Sequence, residues 1–179
     1  MKVVAVMDGA SGSIRNKKYR TRRYMSNSVM IQMKKFDTHG PFFQGKGGIW
    51  NFWDRKLDNF IDIYNDEANE LILFGKSYGG KDISKAISRL QKRGSLYSSI
   101  KALFVDPHWI CRCNKNLIVP QINRIINIYQ RNKSVFKGAE VESLTKDIEQ
   151  YQITRDDIDH FNIVKTQEVM DAIKRILAS

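Results

Sequence analysis

The run Leu71-Ile72-Leu73-Phe74 passes directly into Gly75-Lys76-Ser77-Tyr78-Gly79-Gly80, and a helical pattern begins at once behind it. Few arrangements constrain a backbone more, because a strand, a turn of almost no length and a helix must follow one another without slack. A short continuous apolar run is the mark of a strand covered on both faces. Behind the turn, Ile83, Ala86, Ile87 and Leu90 share one helical face, while Lys81, Asp82, Lys85, Arg89 and Lys92 lie largely on the other. Gly94 stands where a C-cap glycine belongs.

The turn itself reads Gly-x-Ser-x-Gly. A turn this tight holds Ser77 in a strained backbone conformation, and side chains at 75 or 79 would collide with neighbouring backbone, which glycine avoids. It also sets Ser77 Oγ at the positive end of the helix and aims the Tyr78 amide at a point where a carbonyl oxygen gaining charge would sit, one half of an oxyanion hole. The same letters in a surface turn would mean nothing; the strand before and the helix after give them weight. A phosphate-binding loop is excluded by spacing, because Gly-x-x-x-x-Gly-Lys-Ser requires glycine at position 70, which is Glu70.

The 179 residues, 42% of them hydrophobic, suffice for one domain with a substantial core, and a single domain over 1–179 is expected. Lys2 to Met7 reads as a buried strand ending in the small-residue loop Asp8 to Ser13. Val29 to Met33 reads as a second short strand, followed by a loop rich in glycine and aromatics from Asp37 to Gly48. Trp50, Trp53, Leu57, Phe60, Ile61 and Tyr64 recur at helical spacing. The run before Ser77 is the third strand and Ala102 to Val105 a fourth. Ile122, Ile125, Ile126 and Tyr129, with Pro120 ahead of them, read as a helix; Phe136 to Val141 as a fifth strand; and about Thr166 to Leu177 as the last helix. Strands alternating with helices predict an α/β protein, a three-layer sandwich around a mainly parallel sheet of about five strands.

Charge is the second notable feature. Of a net +11, much is local: Arg15, Lys17, Lys18, Arg20, Arg22 and Arg23 crowd one segment. Such a field attracts polyanions, anionic surfaces or anionic substrates. Tyr19 and Tyr24 interleave with it, but no nucleic-acid module surrounds them, so specific nucleic-acid recognition is not expected. No segment reaches the roughly 18 apolar residues of a membrane span, and Val3 to Met7 is too short for a signal-peptide core. A cytoplasmic protein is expected, with peripheral membrane contact and export without a signal peptide left open. Cys111 and Cys113, one residue apart, read as ordinary reduced cysteines; no metal site is expected.

A serine at pH 7 needs a base, and the chain has only His39, His108 and His160. His160 is favoured, since it lies in the loop Asp156 to Phe161 just before the last helix and can swing over the nucleophile. His39 sits among aromatics, and His108 is two residues from the best acid. That acid is Asp106, at the C-terminal end of the fourth strand, where functional groups of parallel sheets gather. Asp156 and Asp157 are its substitutes. Phe42, Phe43 and Trp50 can line an apolar pocket, and Arg15 and Arg22 can meet an anionic group.

With Ser77, Asp106 and His160 in that chain order, the sequence resembles the α/β-hydrolase superfamily, in particular its small esterase, lipase and cutinase-like members, over essentially its whole length. Val105-Asp106-Pro107, Asn127-Ile128-Tyr129-Gln130, Gly138-Ala139 and His160-Phe161-Asn162-Ile163 follow an order similar to that of lipase-type hydrolases of this fold. The resemblance implies a minimal α/β-hydrolase fold that begins at what would be the third strand. It also implies a second oxyanion donor in the loop after the first strand, Gly9 or Ala10. Two departures stand out: Asp8-Gly9 replaces the His-Gly of many lipases, and the acid follows the strand next after the nucleophile.

The expected activity is cleavage of a carboxylic ester, of lipid or other anionic type, through an acyl-enzyme on Ser77 without a cofactor. Two rivals share the fold: a non-catalytic protein using segment 15–23 to bind nucleic acid or an acidic partner, and an acyltransferase with the same triad. Oligomeric state is not legible.

Overall fold

The computed structural model describes residues 1–7, 24–36, 38–44, 54–107, 116–132 and 137–179. Six strands form one sheet: β1 (Lys2–Met7), β2 (Thr38–Gln44), β3 (Glu70–Lys76), β4 (Ser99–Val105), β6 (Arg124–Gln130) and β8 (Asp147–Ile153), in the order β2-β1-β3-β4-β6-β8. Every neighbouring pair is parallel. Helices α1 (Tyr24–Met33), α2 (Asp54–Ile63), α3 (Tyr78–Arg93) and α4 (Gln167–Ala178) cover it. Two-residue strands β5 (Leu117–Ile118) and β7 (Val141–Glu142) pair with each other outside the sheet.

The two faces have separate cores, as strand alternation requires. Val3, Ala5, Leu71, Leu73, Ala102 and Phe104 pack with α2, α3 and the β5/β7 pair. Val4, Val6, Ile72, Phe74, Leu103 and Val105 pack with α1 and α4. Right-handed crossovers explain which helix goes where: the chain moves one way from β1 to β2 and the opposite way from β2 to β3 and β4, so α1 falls on one face and α2 and α3 on the other. That reversal opens a switch point between β1 and β3, beyond whose C-terminal ends parallel sheets place their sites.

The three-layer α/β sandwich with a parallel sheet stands as expected, but several elements differ from the sequence reading. Val29 to Met33 belongs to helix α1: Met25, Val29 and Met33, four residues apart, are buried, whereas Met30 and Ile31 are 43% and 57% exposed. Residues from Asp37 to Gly48 are not all loop, since they contain β2. Gly40 and Pro41 disguise it, and both are tolerable because β2 is an edge strand with a register shift between Val3 and Ala5 of its partner.

The proposed helix at Ile122 to Tyr129 is strand β6. Apolar residues at 125, 126, 128 and 129 fit either period, and a strand buried on both faces shows no alternation. Its isoleucines, with Ile125 in one core and Ile126 and Ile128 in the other, favour the strand. Of the expected fifth strand at Phe136 to Val141, Phe136 lies outside the described residues, residues 137–140 are irregular, and Val141 begins β7, outside the six-stranded sheet. The sixth position is taken by β8, an edge strand whose Asp147, Glu149, Gln150 and Gln152 conceal it in the sequence. The last helix and its start agree with expectation, the Thr166 hydroxyl accepting from the Val169 amide. No helix among the described residues is long and apolar enough to cross a membrane.

Candidate active site

At the end of β3 the chain turns into α3 through Ser77 alone, with φ 55° and ψ −121°. Asp106, at the end of β4, has φ 48°, and among the described residues these are the two non-glycine residues with positive φ. Such backbone costs on the order of 1–3 kcal/mol per residue and persists only where the surroundings impose it. For Ser77 the constraint is a bond from its amide to the Val105 carbonyl (3.1 Å) and the start of α3 wedged against β1. A Cβ on Gly79 would lie 2.0 Å from the Met7 carbonyl oxygen, and one on Gly75 would lie 2.7 Å from Ile83 Cδ1 and 3.0 Å from the Gly79 and Gly80 backbone. The glycines are there because α3 begins in contact with two strands.

Ser77 does not spend its hydroxyl on capping α3, which leaves Oγ for another partner. That partner is His160, whose Nε2 is 3.0 Å away. On the far side of the ring, His160 Nδ1 is 2.5 Å from Asp106 Oδ2. An ionised carboxylate only accepts, so Nδ1 carries the proton in the neutral ring, and Nε2 accepts from the serine O–H. Ser77, Asp106 and His160 are 8%, 0% and 7% exposed, so all three are buried, the aspartate completely.

The acid is held as firmly as the serine. The Asp106 amide donates to Ile128 O (2.7 Å), Oδ1 accepts from the Gln130 amide (3.1 Å), and Oδ2 accepts from Gln130 Nε2 (3.1 Å). The segment after residue 136 folds over it: a Cβ on Gly138 would meet Asp106 Oδ1 at 2.0 Å, and the Ala139 amide donates to Pro107 O. Beside it, Tyr129 donates to Glu140 Oε1 (3.0 Å); burial first, then this hydrogen bond, pushes its phenol pKa up. His160 sits in a turn organised by Asp159, whose Oδ1 accepts from the amides of Phe161 and Asn162, and the Phe161 ring meets the imidazole edge-on at 5.7 Å.

The structure thus brings Ser77, Asp106 and His160 together, with Tyr78 opening α3. Asp156 and Asp157 are exposed. Gly9, Ala10, Arg15, Arg22, Trp50 and His108 lie outside the described residues, as do the cysteines; of His39, Phe42 and Phe43 only the backbone, in β2, is described. Gln130 and Gly138 were missed as site residues. Both stood in the motifs that carry the resemblance, Asn127 to Gln130 and Gly138-Ala139, but their place beside the acid follows only once β6 is known to lie beside β4.

No protein-family model matches the chain, and no curated protein matches it. Among solved structures it is similar to the Vlm2 thioesterase domain with genetically encoded 2,3-diaminopropionic acid bound with a dodecadepsipeptide. That similarity covers 99% of this chain and 95% of that one, with a TM-score of 0.49 and 10% identity. A likeness at this level carries no inference about chemistry.

Proposed function

We propose that the protein is a serine hydrolase of the α/β-hydrolase kind that cleaves a carboxylic ester. The observation that carries this reading is the continuous hydrogen-bonded line from Ser77 Oγ through the His160 ring to Asp106, built on a strained serine at a strand-to-helix turn. His160 Nε2 takes the Ser77 proton as Oγ attacks the carbonyl carbon, and Asp106 holds the ring in the needed tautomer and stabilises its cation. The Tyr78 amide, with Gly9 or Ala10, stabilises the oxyanion. His160 then gives the proton to the departing alcohol, forming the acyl-enzyme, and the same sequence run with water frees the acid and restores Ser77.

Labelling with a fluorophosphonate tests the reading. Wild type is expected to label stoichiometrically and Ser77→Ala not at all, while His39→Ala and His108→Ala keep near wild-type rates. Folded wild type that does not label would instead favour a binding role for the scaffold.

The sheet also bears on substrate charge. Because its strands are parallel, β1, β2, β4 and β6 all end at the edge where Ser77 stands. In the sequence, the stretches that follow those ends, residues 8–23, 45–53, 108–115 and 133–136, hold ten Lys and Arg against one Asp, while the stretch after β8, residues 154–166, which starts from the same edge, holds Arg155 and Lys165 against Asp156, Asp157 and Asp159. The preferred substrate in this reading is an anionic ester, a lipid headgroup being one source. At low salt, kcat/KM for an anionic ester is expected to exceed that for a neutral ester of equal chain length by roughly tenfold, with the advantage fading as salt rises. Equal turnover of the two, indifferent to salt, would remove the charge argument and leave the hydrolase.

A further inference from the structure

Gln130 closes β6 with its side chain fully buried beside the acid. Its backbone amide and its Nε2 donate to the two oxygens of Asp106, each at 3.1 Å, and Oδ2 is the oxygen that also receives His160 Nδ1. The amide is not free to flip. Its Oε1 accepts from the Asn132 amide (2.9 Å), and reversal would set oxygen against carboxylate and leave that amide without its partner. Asn132 in turn donates through Nδ2 to Arg155 O and Ile158 O, both at 2.6 Å, just ahead of His160. The C-terminal end of β6 therefore grips the carboxylate and also the segment that carries the imidazole.

We propose that Gln130 is a positioning residue for this reaction: its amide sets the plane of the Asp106 carboxylate toward His160 and offsets part of the carboxylate charge, so that His160 stays available as a neutral base. A methionine would fill the same space, so packing alone does not call for an amide here. What only the amide supplies is a fixed positive dipole end on Oδ2. There it weakens the hold of Asp106 on an imidazolium while keeping the ring aligned.

The inference rests on the hydrolase reading, and its test separates the two. The quantity measured is the second-order rate of fluorophosphonate inactivation against pH, for wild type, Gln130→Met and Gln130→Asn. Met keeps the length without the donor; Asn keeps the donor but is too short to place it, and serves if the methionine variant does not fold. Without the dipole on Oδ2 the imidazolium is held more tightly, so the acidic limb of the profile is expected to move up by about half to one pH unit, with a plateau lowered roughly three- to thirtyfold. Ionisable neighbours among the described residues are Lys76 before the serine, Tyr129 and Arg131 flanking Gln130, Glu140 bonded to both of these, and Asp159 beside the histidine. They are unchanged in both variants and do not account for a shift. An acidic limb that stays where wild type has it, whatever the plateau does, overturns the role of Gln130; a folded wild type that fails to label at any pH overturns the hydrolase reading instead.

Discussion

His160→Ala is expected to lower the fluorophosphonate labelling rate by roughly four orders of magnitude while leaving the fold intact. The expectation rests on geometry: the imidazole touches both Ser77 Oγ and Asp106 Oδ2, and among the described residues nothing else joins them. Without it, a protonated serine hydroxyl must react unaided. Asp106→Asn is expected to fall nearly as far, because an amide at that position can present a donor to Nδ1 and stabilise the wrong tautomer. Asp156→Asn and Asp157→Asn are the controls, since both side chains stand exposed. Loss of labelling in either, with Asp106→Asn active, would move the acid to the loop before α4.

Gly79→Ala is expected to be the most damaging single-methyl change in the molecule's described part. The new Cβ would fall 2.0 Å from the Met7 carbonyl oxygen and 2.7 Å from its carbon, both backbone atoms of a fully buried strand. Met7 is paired on both sides, with Gln44 of β2 and Gly75 of β3, and cannot easily step aside, so α3 must pull away from β1 and take the serine turn with it. A loss of about 3 kcal/mol or more follows, roughly a 10 °C fall in Tm for a chain of this size, or outright failure to fold. Gly94→Ala provides the contrast. Gly94 has φ 84° with open space around its Cα, so alanine there meets only conformational strain, about 1–2 kcal/mol. Equal melting points for the two variants would show that the contact of α3 with β1 is looser than these distances state.

The contrast between these two glycines also shows what kind of information each part of the chain carries. Around Ser77 the sequence was explicit, because strand, turn and helix are adjacent in the chain and each leaves its own local mark: an apolar run, two glycines, a helical stripe and a C-cap glycine. The expected helix face, Ile83, Ala86, Ile87 and Leu90, is the buried face of α3. Elsewhere the local marks were ambiguous or misleading. Met25, Val29 and Met33 hide a helix within a run that contains a short β-like stretch, and Ile125 to Tyr129 fits a helix until the second core is seen on its other side. The polar edge strand β8 left no apolar signal.

The chemistry divides along the same line. Sequence alone determined that a strand-turn-helix must present Ser77, that only three histidines compete to be its base, and that the parallel sheet would gather its strand ends at one edge; these follow from local sterics, from composition and from alternation of elements. Only the tertiary structure decided that His160 lies between Ser77 and Asp106, that Gln130 and Gly138 hold the acid, and why Gly79 faces Met7. Those relations join residues distant along the chain, through strand order and register, and no local pattern encodes which strand will be a neighbour. The distances among Ser77, Asp106 and His160 are set by where β3, β4 and β8 stand in the sheet, which is a property of the assembled cores on its two faces.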